Sequence, residues 1–256
     1  MKALVLDFDG VIAESAPEAF RVAHETFLSL RPDAALRERP RDALYAAFLE
    51  MMPLGNRAED YGVELAACEA GRPIPDQAAY DAFKAGLDPA WLRTFHKHFY
   101  RVRAAFAAAD PEGWLALLPP HRRFLAVLRA HAGEARLAIA TAKDRVSVGR
   151  LLRVYGVEDL FDPALVLDKE TGVAKTAHLE HLHRQLDLPY AEMTFVDDKL
   201  NHLEPVARLG VRCVLAAWGY NGPREQRAAR EHGFAVCDLD GIEAALFPGP
   251  SAARAG

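Results

Sequence analysis

The sequence predicts an α/β fold in which a Rossmann-like, doubly wound parallel sheet carries an inserted all-helical domain. Short, continuous apolar runs recur along the chain, and each leads into a helix-like segment. Runs of this kind are typical of the buried strands of a parallel sheet. The first two runs are separated by about ten times the dozen residues that a crossover connection needs. The sequence therefore predicts an insertion between them.

Five apolar runs are predicted to be strands. In chain order they are "KALVLD" (2–7), "RLAIAT" (136–141), "PALVLD" (163–168), "MTFVDD" (193–198) and "VRCVLAA" (211–217). Their alternation with helical patterns favours a doubly wound sheet. We predict that residues 1–15 and 116–247 form this core, and that residues 248–256 are a flexible tail.

Residues 16–115 are predicted to form a helical cap domain. Within "WLRTFHKHFYRVRAAF", spacings of three and four place a set of apolar residues on one helical stripe. These are Trp91, Leu92, Phe95, Phe99, Val102 and Phe106. Lys97, Arg101 and Arg103 fall outside the stripe, so we expect them on the solvent face.

Composition narrows the range of partners and compartments. The chain of 256 residues is 51% hydrophobic, which allows a substantial core, and its net charge of −5 gives no general attraction for nucleic acids or anionic membranes. The three cysteines show no disulfide or zinc-site spacing, and Asp7 interrupts the first apolar stretch too early for a signal peptide. We expect a cytoplasmic protein without nucleic-acid or membrane partners.

Polar residues occur where the predicted strands end. Asp7 and Asp9 follow the first strand, Thr141 ends the second, and the Asp197–Asp198 pair ends the fourth. Lys175 begins a predicted helix after the third. Because ligands of open α/β sheets bind beyond the carboxyl ends of the strands, we expect these side chains to share one site.

Such a cluster of carboxylates suggests metal chemistry. Like charges held close together raise each other's pKa, and a hard divalent cation relieves this repulsion. Mg²⁺ prefers oxygen ligands and commonly binds one or two carboxylates together with a substrate phosphate. A carboxylate in such a site can attack phosphorus while its neighbour transfers the proton.

The four motifs resemble those of the haloacid dehalogenase (HAD) superfamily. "DFDGV" resembles its first motif, "AIATAKD" its second, Lys175 its third and "FVDDKLNHLEPVARLG" its acidic fourth. The resemblance spans nearly the whole chain. It implies a Rossmann-like core with a cap inserted after the first strand, as the gap between strands also predicts.

The resemblance implies a role for each motif residue. Asp7 would be the nucleophile and a ligand of Mg²⁺, and Asp9 would be the acid/base and bind the metal through its backbone carbonyl. Asp198, helped by Asp197, would complete the metal site. The phosphoryl group would be held by Thr141 and Lys175, with Gly10 and Ala142 of the same motifs.

Some positions depart from the family pattern, and single motif residues could have a purely structural role. Many members have a second acid four residues after the last-motif Asp, where this chain has His202. Lys169 also follows the third strand, and we prefer Lys175 because it starts a helix at the right distance from "FVDD". Taken singly, each motif residue could be a turn, a helix cap or a surface lysine; their joint order favours a functional site.

In the cap, Arg57 is the candidate for contacting substrate, since a guanidinium binds phosphate or carboxylate bidentately.

The leading functional prediction is a Mg²⁺-dependent phosphoric monoester hydrolase acting on a small phosphorylated metabolite. A phosphomutase would use the same aspartyl-phosphate but return the phosphoryl group to a sugar. A catalytically silent binding module is the alternative from a different class. A dehalogenase or phosphonate-cleaving enzyme is disfavoured, because those branches do not require the acid that Asp9 supplies. Substrate and oligomeric state are left open by the sequence, because fold does not determine them.

Overall fold

The computed structural model describes residues 1–172 and 174–248, so all of the predicted tail except Pro248 lies outside the described residues. The chain divides into two compact units. The first, here called the core unit, comprises Met1–Glu14 and the chain from Pro120 onwards. The second, the helical unit, is Ser15–Pro119. The helical unit ends at Pro119, four residues after the predicted end of the cap at residue 115.

The core unit is built on a parallel sheet, as predicted. Its strands are β1 (Ala3–Leu6), β2 (Arg136–Ala140), β3 (Val166–Leu167), β4 (Met193–Asp197), β5 (Arg212–Ala216) and β6 (Ala235–Cys237). Their order across the sheet is β3-β2-β1-β4-β5-β6, and all paired neighbours are parallel. This order reverses direction between β1 and β4, which is where doubly wound sheets bind their ligands.

Two strands differ from the sequence prediction. Half of the run "PALVLD" is a 3₁₀ turn over Pro163–Leu165, because Pro163 starts a tight helical turn and leaves only two residues for β3. The strand β6 was not predicted. It is short and only half-buried at the edge of the sheet, so it lacks the continuous apolar run that reveals a central strand.

The helical unit is formed by the helices α1 to α6. Their bounds are α1 Ala16–Leu30, α2 Arg41–Met51, α3 Ala58–Glu69, α4 Gln77–Ala85, α5 Pro89–Ala109 and α6 Pro111–Ala116. Short 3₁₀ turns occupy Ala35–Glu38 and Met52–Leu54. Aspartates cap three of these helices: the side chains of Asp76, Asp88 and Asp110 each accept a backbone hydrogen bond at the start of α4, α5 and α6.

The core unit continues with the helices that connect its strands. They are α7 Arg122–Ala130, α8 Arg145–Val154, α9 Lys175–Leu186, α10 Leu200–Ala207, α11 Pro223–Glu231 and α12 Ile242–Leu246. Strand and helix residues such as Val5, Ala138, Leu179, Phe195 and Leu203 form one buried cluster, and each is fully inaccessible to solvent. No helix of the described residues is both long enough and apolar enough to cross a membrane.

One prediction about α5 is wrong. Phe95, Phe99 and Phe106 are buried as expected, but Arg103, predicted on the solvent face, is buried too. Its Nε donates to Glu18 Oε1 at 2.7 Å, and Trp114 Nε1 donates to the same oxygen at 2.9 Å. The carboxylate of Glu18 on α1 therefore compensates the buried guanidinium, which a periodicity confined to α5 does not reveal.

This buried pair gives a testable prediction for stability. Replacing Glu18 with Ala removes an acceptor from the buried Arg103 guanidinium and from the Trp114 indole N–H, so we expect a loss of about 3–5 kcal/mol in the free energy of unfolding. Urea denaturation measures this loss. Glu25→Ala, an exposed position on the same helix, is the matched control and should change stability by less than about 0.5 kcal/mol. A loss as small for Glu18→Ala as for the control would contradict the buried-pair account.

Candidate functional site

The register of the sheet brings the predicted site residues of the core unit to one edge. Leu6 of β1 is level with Ile139 of β2 and Val196 of β4. The residues that follow these positions, among them Asp7, Thr141 and Asp197, therefore lie beside one another at the carboxyl ends of the strands. Asp7 N donates to Val196 O at 3.0 Å, so the first carboxylate is still fixed by sheet geometry.

Asp7 is buried, and one of its oxygens is firmly held. Its Oδ1 accepts a hydrogen bond from the backbone N–H of Phe8 at 2.7 Å and lies 2.7 Å from Lys175 Nζ. Burial raises the pKa of Asp7, and the neighbouring Asp197 adds to this rise, although Lys175 opposes it. The two contacts on Oδ1 orient the carboxylate.

Lys175, the first residue of α9, is the cation of this site. Its Nζ lies 3.4 Å from Asp197 Oδ2 and donates to Ala140 O at 2.6 Å, besides its contact with Asp7. Burial opposes the charge, but Asp7 and Asp197 outweigh it and raise the pKa of Lys175. The ammonium is therefore charged at neutral pH. Lys169, the other lysine considered from sequence, is exposed.

The side chains of Asp197 and His202 form a second pair of contacting groups in the site. His202 Nδ1 lies 3.0 Å from Asp197 Oδ2 and 3.2 Å from Oδ1, and Lys199 N donates to Asp197 Oδ1 at 2.9 Å. Burial opposes ionisation of Asp197, but His202 and Lys175 outweigh it and lower the pKa of this carboxyl. Asp197 is thus an ionised group whose oxygens are already engaged by protein donors.

Asp198 has the opposite environment. Its Oδ2 accepts from Tyr220 N at 2.7 Å, while its buried Oδ1 has no hydrogen-bond partner among the described residues. Burial raises the pKa of Asp198 well above its usual range, with Asp197 and Asp7 adding to the rise. An inward-facing carboxylate oxygen without a donor needs a cation or a proton.

Two glycines allow the surrounding loops to approach Asp198. A Cβ at Gly10 would lie 2.3 Å from Asp198 Oδ2, and the φ of +81° at Gly10 is also unfavourable for other residues. A Cβ at Gly219 would lie 2.3 Å from Asp198 Cβ and 2.6 Å from Gly10 O. Gly10, predicted as a substrate-binding position, therefore has a packing role at this carboxylate.

The loop after β5 supports the site and was not predicted from sequence. Trp218 Nε1 donates to Val11 O at 3.2 Å, and Asn221 Nδ2 donates to Asp198 O at 3.0 Å and to Ala216 O at 2.9 Å. Together with Tyr220 N, these donors hold the motif-one turn and Asp198. The available signal was "WGYNG", a glycine-containing turn directly after a predicted strand.

The turn after β2 carries Thr141, Ala142 and Lys143. Thr141 N donates to Leu167 O at 3.0 Å, and Thr141 Oγ1 accepts from Lys143 N at 3.1 Å. Ala142 is exposed. Lys143 is buried, and its Nζ lies 2.9 Å from Asp9 Oδ1. Sequence reasoning used Thr141 and missed this lysine, although "TAKD" places it two residues further along.

The donor set fits a hard divalent cation. Asp7, Asp197 and His202 offer ligand atoms that all lie within 4.8 Å of one another. Protein donors already engage Asp197, whereas Asp198 presents a buried oxygen without a donor. These carboxylate oxygens fit a magnesium ion, because Mg²⁺ binds a few protein carboxylates and fills the rest of its shell with water and substrate.

Arg57 belongs to the helical unit. It precedes α3, where Asp60 Oδ2 accepts from Arg57 N at 3.0 Å. The guanidinium is half exposed, and its Nη1 lies 3.8 Å from Glu59 Oε1. A contact this long at an exposed position contributes little stability, so the side chain remains able to engage a ligand.

Comparison with solved structures agrees with this architecture. A predicted phosphoglycolate phosphatase from Haemophilus somnus 129PT is 18% identical, with a TM-score of 0.66. A candidate phosphoglycolate phosphatase from Lactobacillus delbrueckii subsp. bulgaricus is 16% identical, with a TM-score of 0.70. A haloacid dehalogenase-like family protein from Streptococcus pneumoniae is 12% identical, with a TM-score of 0.63. Each alignment covers 96% of this chain and 98% of the other. These similarities show the fold.

Family membership comes from the sequence itself. No curated protein matches the chain. The profile of the haloacid dehalogenase-like hydrolases matches residues 1–210, a span that includes the strand-end carboxylates, Thr141 and Lys175. The chain belongs to the haloacid dehalogenase-like hydrolase family.

Proposed function

We propose that this hydrolase is a Mg²⁺-dependent phosphatase that cleaves a small phosphorylated metabolite through an aspartyl-phosphate on Asp7. The observation that carries the proposal is the fixed orientation of the Asp7 carboxylate. Its Oδ1 is fixed by the Phe8 amide and by Lys175, which orients Oδ2 as the attacking oxygen. A buried carboxylate beside a fixed ammonium is a positioned nucleophile for phosphorus.

In the first step, Asp7 attacks phosphorus and the bond from phosphorus to the leaving oxygen breaks. Asp9, which is partly exposed on the motif-one turn, donates its proton to that leaving oxygen. We assign Lys175, Thr141, Gly10 and Ala142 to the binding of the phosphoryl oxygens, where they would offset the charge that develops.

In the second step, water attacks the phosphorus of the aspartyl-phosphate. Asp9, now deprotonated, takes the proton from this water, and the bond between phosphorus and Asp7 breaks to release phosphate. The Asp7 carboxylate is restored. The same side chain thus acts first as acid and then as base.

Mg²⁺ would be held by Asp7, by the Asp9 backbone carbonyl and by Asp198. When bound, it neutralises negative charge on the phosphoryl group. We assign Asp197 a supporting role, because its oxygens are engaged by His202 and the Lys199 amide and face Lys175. Asp198 Oδ1 is buried and has no hydrogen-bond partner among the described residues, which supports the assignment of Asp198 as the direct ligand.

Two of these structural neighbours are described as a predicted and a candidate phosphoglycolate phosphatase, which supports a small phosphorylated acid as substrate. We expect phosphate release from at least one compound in a panel of such metabolites.

Asp7→Asn should abolish turnover and leave no phosphoenzyme, because an amide is a poor nucleophile. Phosphate release and intact mass after quenching measure both. Substantial turnover by Asp7→Asn would show that the nucleophile is another residue, and transfer to a second hydroxyl of the substrate would instead show a phosphomutase.

Asp9→Asn is the matched comparison, because it keeps the nucleophile and removes the acid and base. We expect turnover to fall by roughly 10²–10⁴-fold. Substrates with good leaving groups should lose less in the first step, so the aspartyl-phosphate should accumulate and add one phosphoryl group to the intact mass. Equal losses in kcat/KM, which reports the first step, for good and poor leaving groups would count against Asp9 as the acid.

Asp198→Asn tests the metal site by thermal unfolding. Because burial and like charges raise the pKa of Asp198, its ionised form destabilises the metal-free fold above the usual carboxyl pKa. We expect metal-free Asp198→Asn to unfold at a higher temperature than wild type at pH 7.5, and to lose the stabilisation that saturating Mg²⁺ gives wild type. Asp33→Asn, an exposed position, controls for non-specific salt effects. Equal Mg²⁺ stabilisation of wild type and Asp198→Asn would exclude Asp198 as a ligand.

We also propose that Arg57 recognises the part of the substrate that does not react. Arg57→Ala should raise KM by about tenfold or change the preferred substrate, with kcat for a minimal aryl phosphate nearly unchanged. Arg72→Ala, another exposed arginine of the helical unit, is the control. Steady-state kinetics on the best substrate measure this effect. An unchanged KM and an unchanged substrate preference would show that Arg57 does not contact the substrate.

A further inference from the structure

The ion pair between Lys143 and Asp9 has no role in the motif assignments. Lys143 is almost fully buried, with 5% of its side chain exposed, whereas 33% of the Asp9 side chain is exposed. We propose that Lys143 is a positioning residue that holds the Asp9 carboxylate in the orientation needed for proton transfer. This inference rests on the proposed phosphatase function.

The backbone of Lys143 is fixed on both sides. Its N–H donates to Thr141 Oγ1, and Thr141 is itself tied to the sheet through Leu167 O. The next residue, Asp144, caps α8 by accepting from Ser147 N and from Ser147 Oγ, each at 2.8 Å. The backbone that carries the Lys143 ammonium is therefore rigid, and a rigid backbone is needed if Lys143 is to position another side chain precisely.

Asp9 has a fixed backbone but a side chain that solvent can reach. The turn that carries it is closed by Gly10 N donating to Ala13 O at 2.8 Å and Ile12 N donating to Phe8 O at 2.9 Å. Solvent-exposed side chains change rotamer on a picosecond to nanosecond timescale. The ion pair with the buried ammonium, at 2.9 Å, favours one orientation of this carboxylate. Misplacement of a catalytic group by about 1 Å can cost about 10²-fold in rate.

Lys175 and Lys143 contact different acids. Lys175 contacts Asp7 and Asp197, while Lys143 contacts Asp9. The proposed nucleophile and the proposed acid/base are thus each held by a separate cation on a separate element, α9 for the first and the β2–α8 turn for the second. This division lets the two carboxylates be oriented independently. It also predicts that loss of Lys143 impairs only steps that use Asp9.

The kinetic test compares Lys143→Met and Lys143→Arg with wild type on p-nitrophenyl phosphate and on an alkyl phosphate that the enzyme turns over. We expect Lys143→Met to lower kcat/KM for the alkyl ester by about 10²-fold, because kcat/KM reports the step in which Asp9 is the acid. The loss in kcat/KM should be several-fold smaller for the aryl ester, whose leaving oxygen needs little protonation. Inhibition by inorganic phosphate should change less than about twofold. Lys143→Arg, which keeps the charge near Asp9, should recover part of the lost rate.

Two further variants separate positioning from other roles. In an Asp9→Asn background, adding Lys143→Met should cause no further loss, because the group to be positioned is already absent. Lys2→Met, at a lysine with 64% of its side chain exposed, is the control for removing a positive charge from the core unit. A multiplicative loss in the double variant would overturn the proposal.

Other outcomes are equally decisive. If Lys143→Met weakens inhibition by phosphate and slows both esters equally, Lys143 binds the phosphoryl group and the positioning role is wrong. If wild type releases phosphate from no ester, the phosphatase function fails, and a crystal structure of Lys143→Met still tests the placement. The proposal expects the Asp9 carboxylate to leave its wild-type position in that variant, and an unchanged carboxylate would overturn it.

Discussion

The contact between the Lys175 ammonium and the Asp7 carboxylate is the constraint on which the site depends. Lys175 Nζ lies against Asp7 after β1, Ala140 O on β2 and Asp197 on β4, so one group joins three strand ends. An ammonium buried this deeply would lose several kcal/mol of hydration without partners. The two carboxylates offset that cost, and the lysine in turn allows them to remain charged close to each other. Removing either side would leave the other uncompensated.

The adjacent residues Asp197 and Asp198 show how one dipeptide is given two different tasks. His202, Lys175 and the Lys199 amide satisfy Asp197 and lower its pKa, so this carboxylate acts as part of the scaffold. Among the described residues, Tyr220 N donates to Asp198, and the pKa of Asp198 is raised. Asp197 is the last residue of β4 and Asp198 lies in the bend that follows, so the two carboxyls have different surroundings even though they are neighbours in sequence.

Much of the fold could be predicted because its signals are local. Continuous apolar runs identified β1, β2, β4 and β5, and the acids at the ends of β1 and β4 marked the edge where the candidate site lies. What escaped prediction depends on residues distant in sequence. Arg103 is buried because Glu18, 85 residues away, neutralises it. Lys143 and the loop at Tyr220 acquire their roles only when turns from separate strands converge. A hydrophobic period of two, three or four residues does not reveal contacts between residues that are distant in sequence.

The position of β1 at the centre of the sheet has a consequence for how the chain folds. Ala3 pairs with Arg136 on one side and with Met193 on the other, so this strand leaves the ribosome long before either of its partners has been made. The intervening helices contain mainly local contacts and can form sooner. Nascent β1 is thus an apolar segment without hydrogen-bonded neighbours for much of synthesis, and the aspartates that directly follow it lower its tendency to associate with other strands.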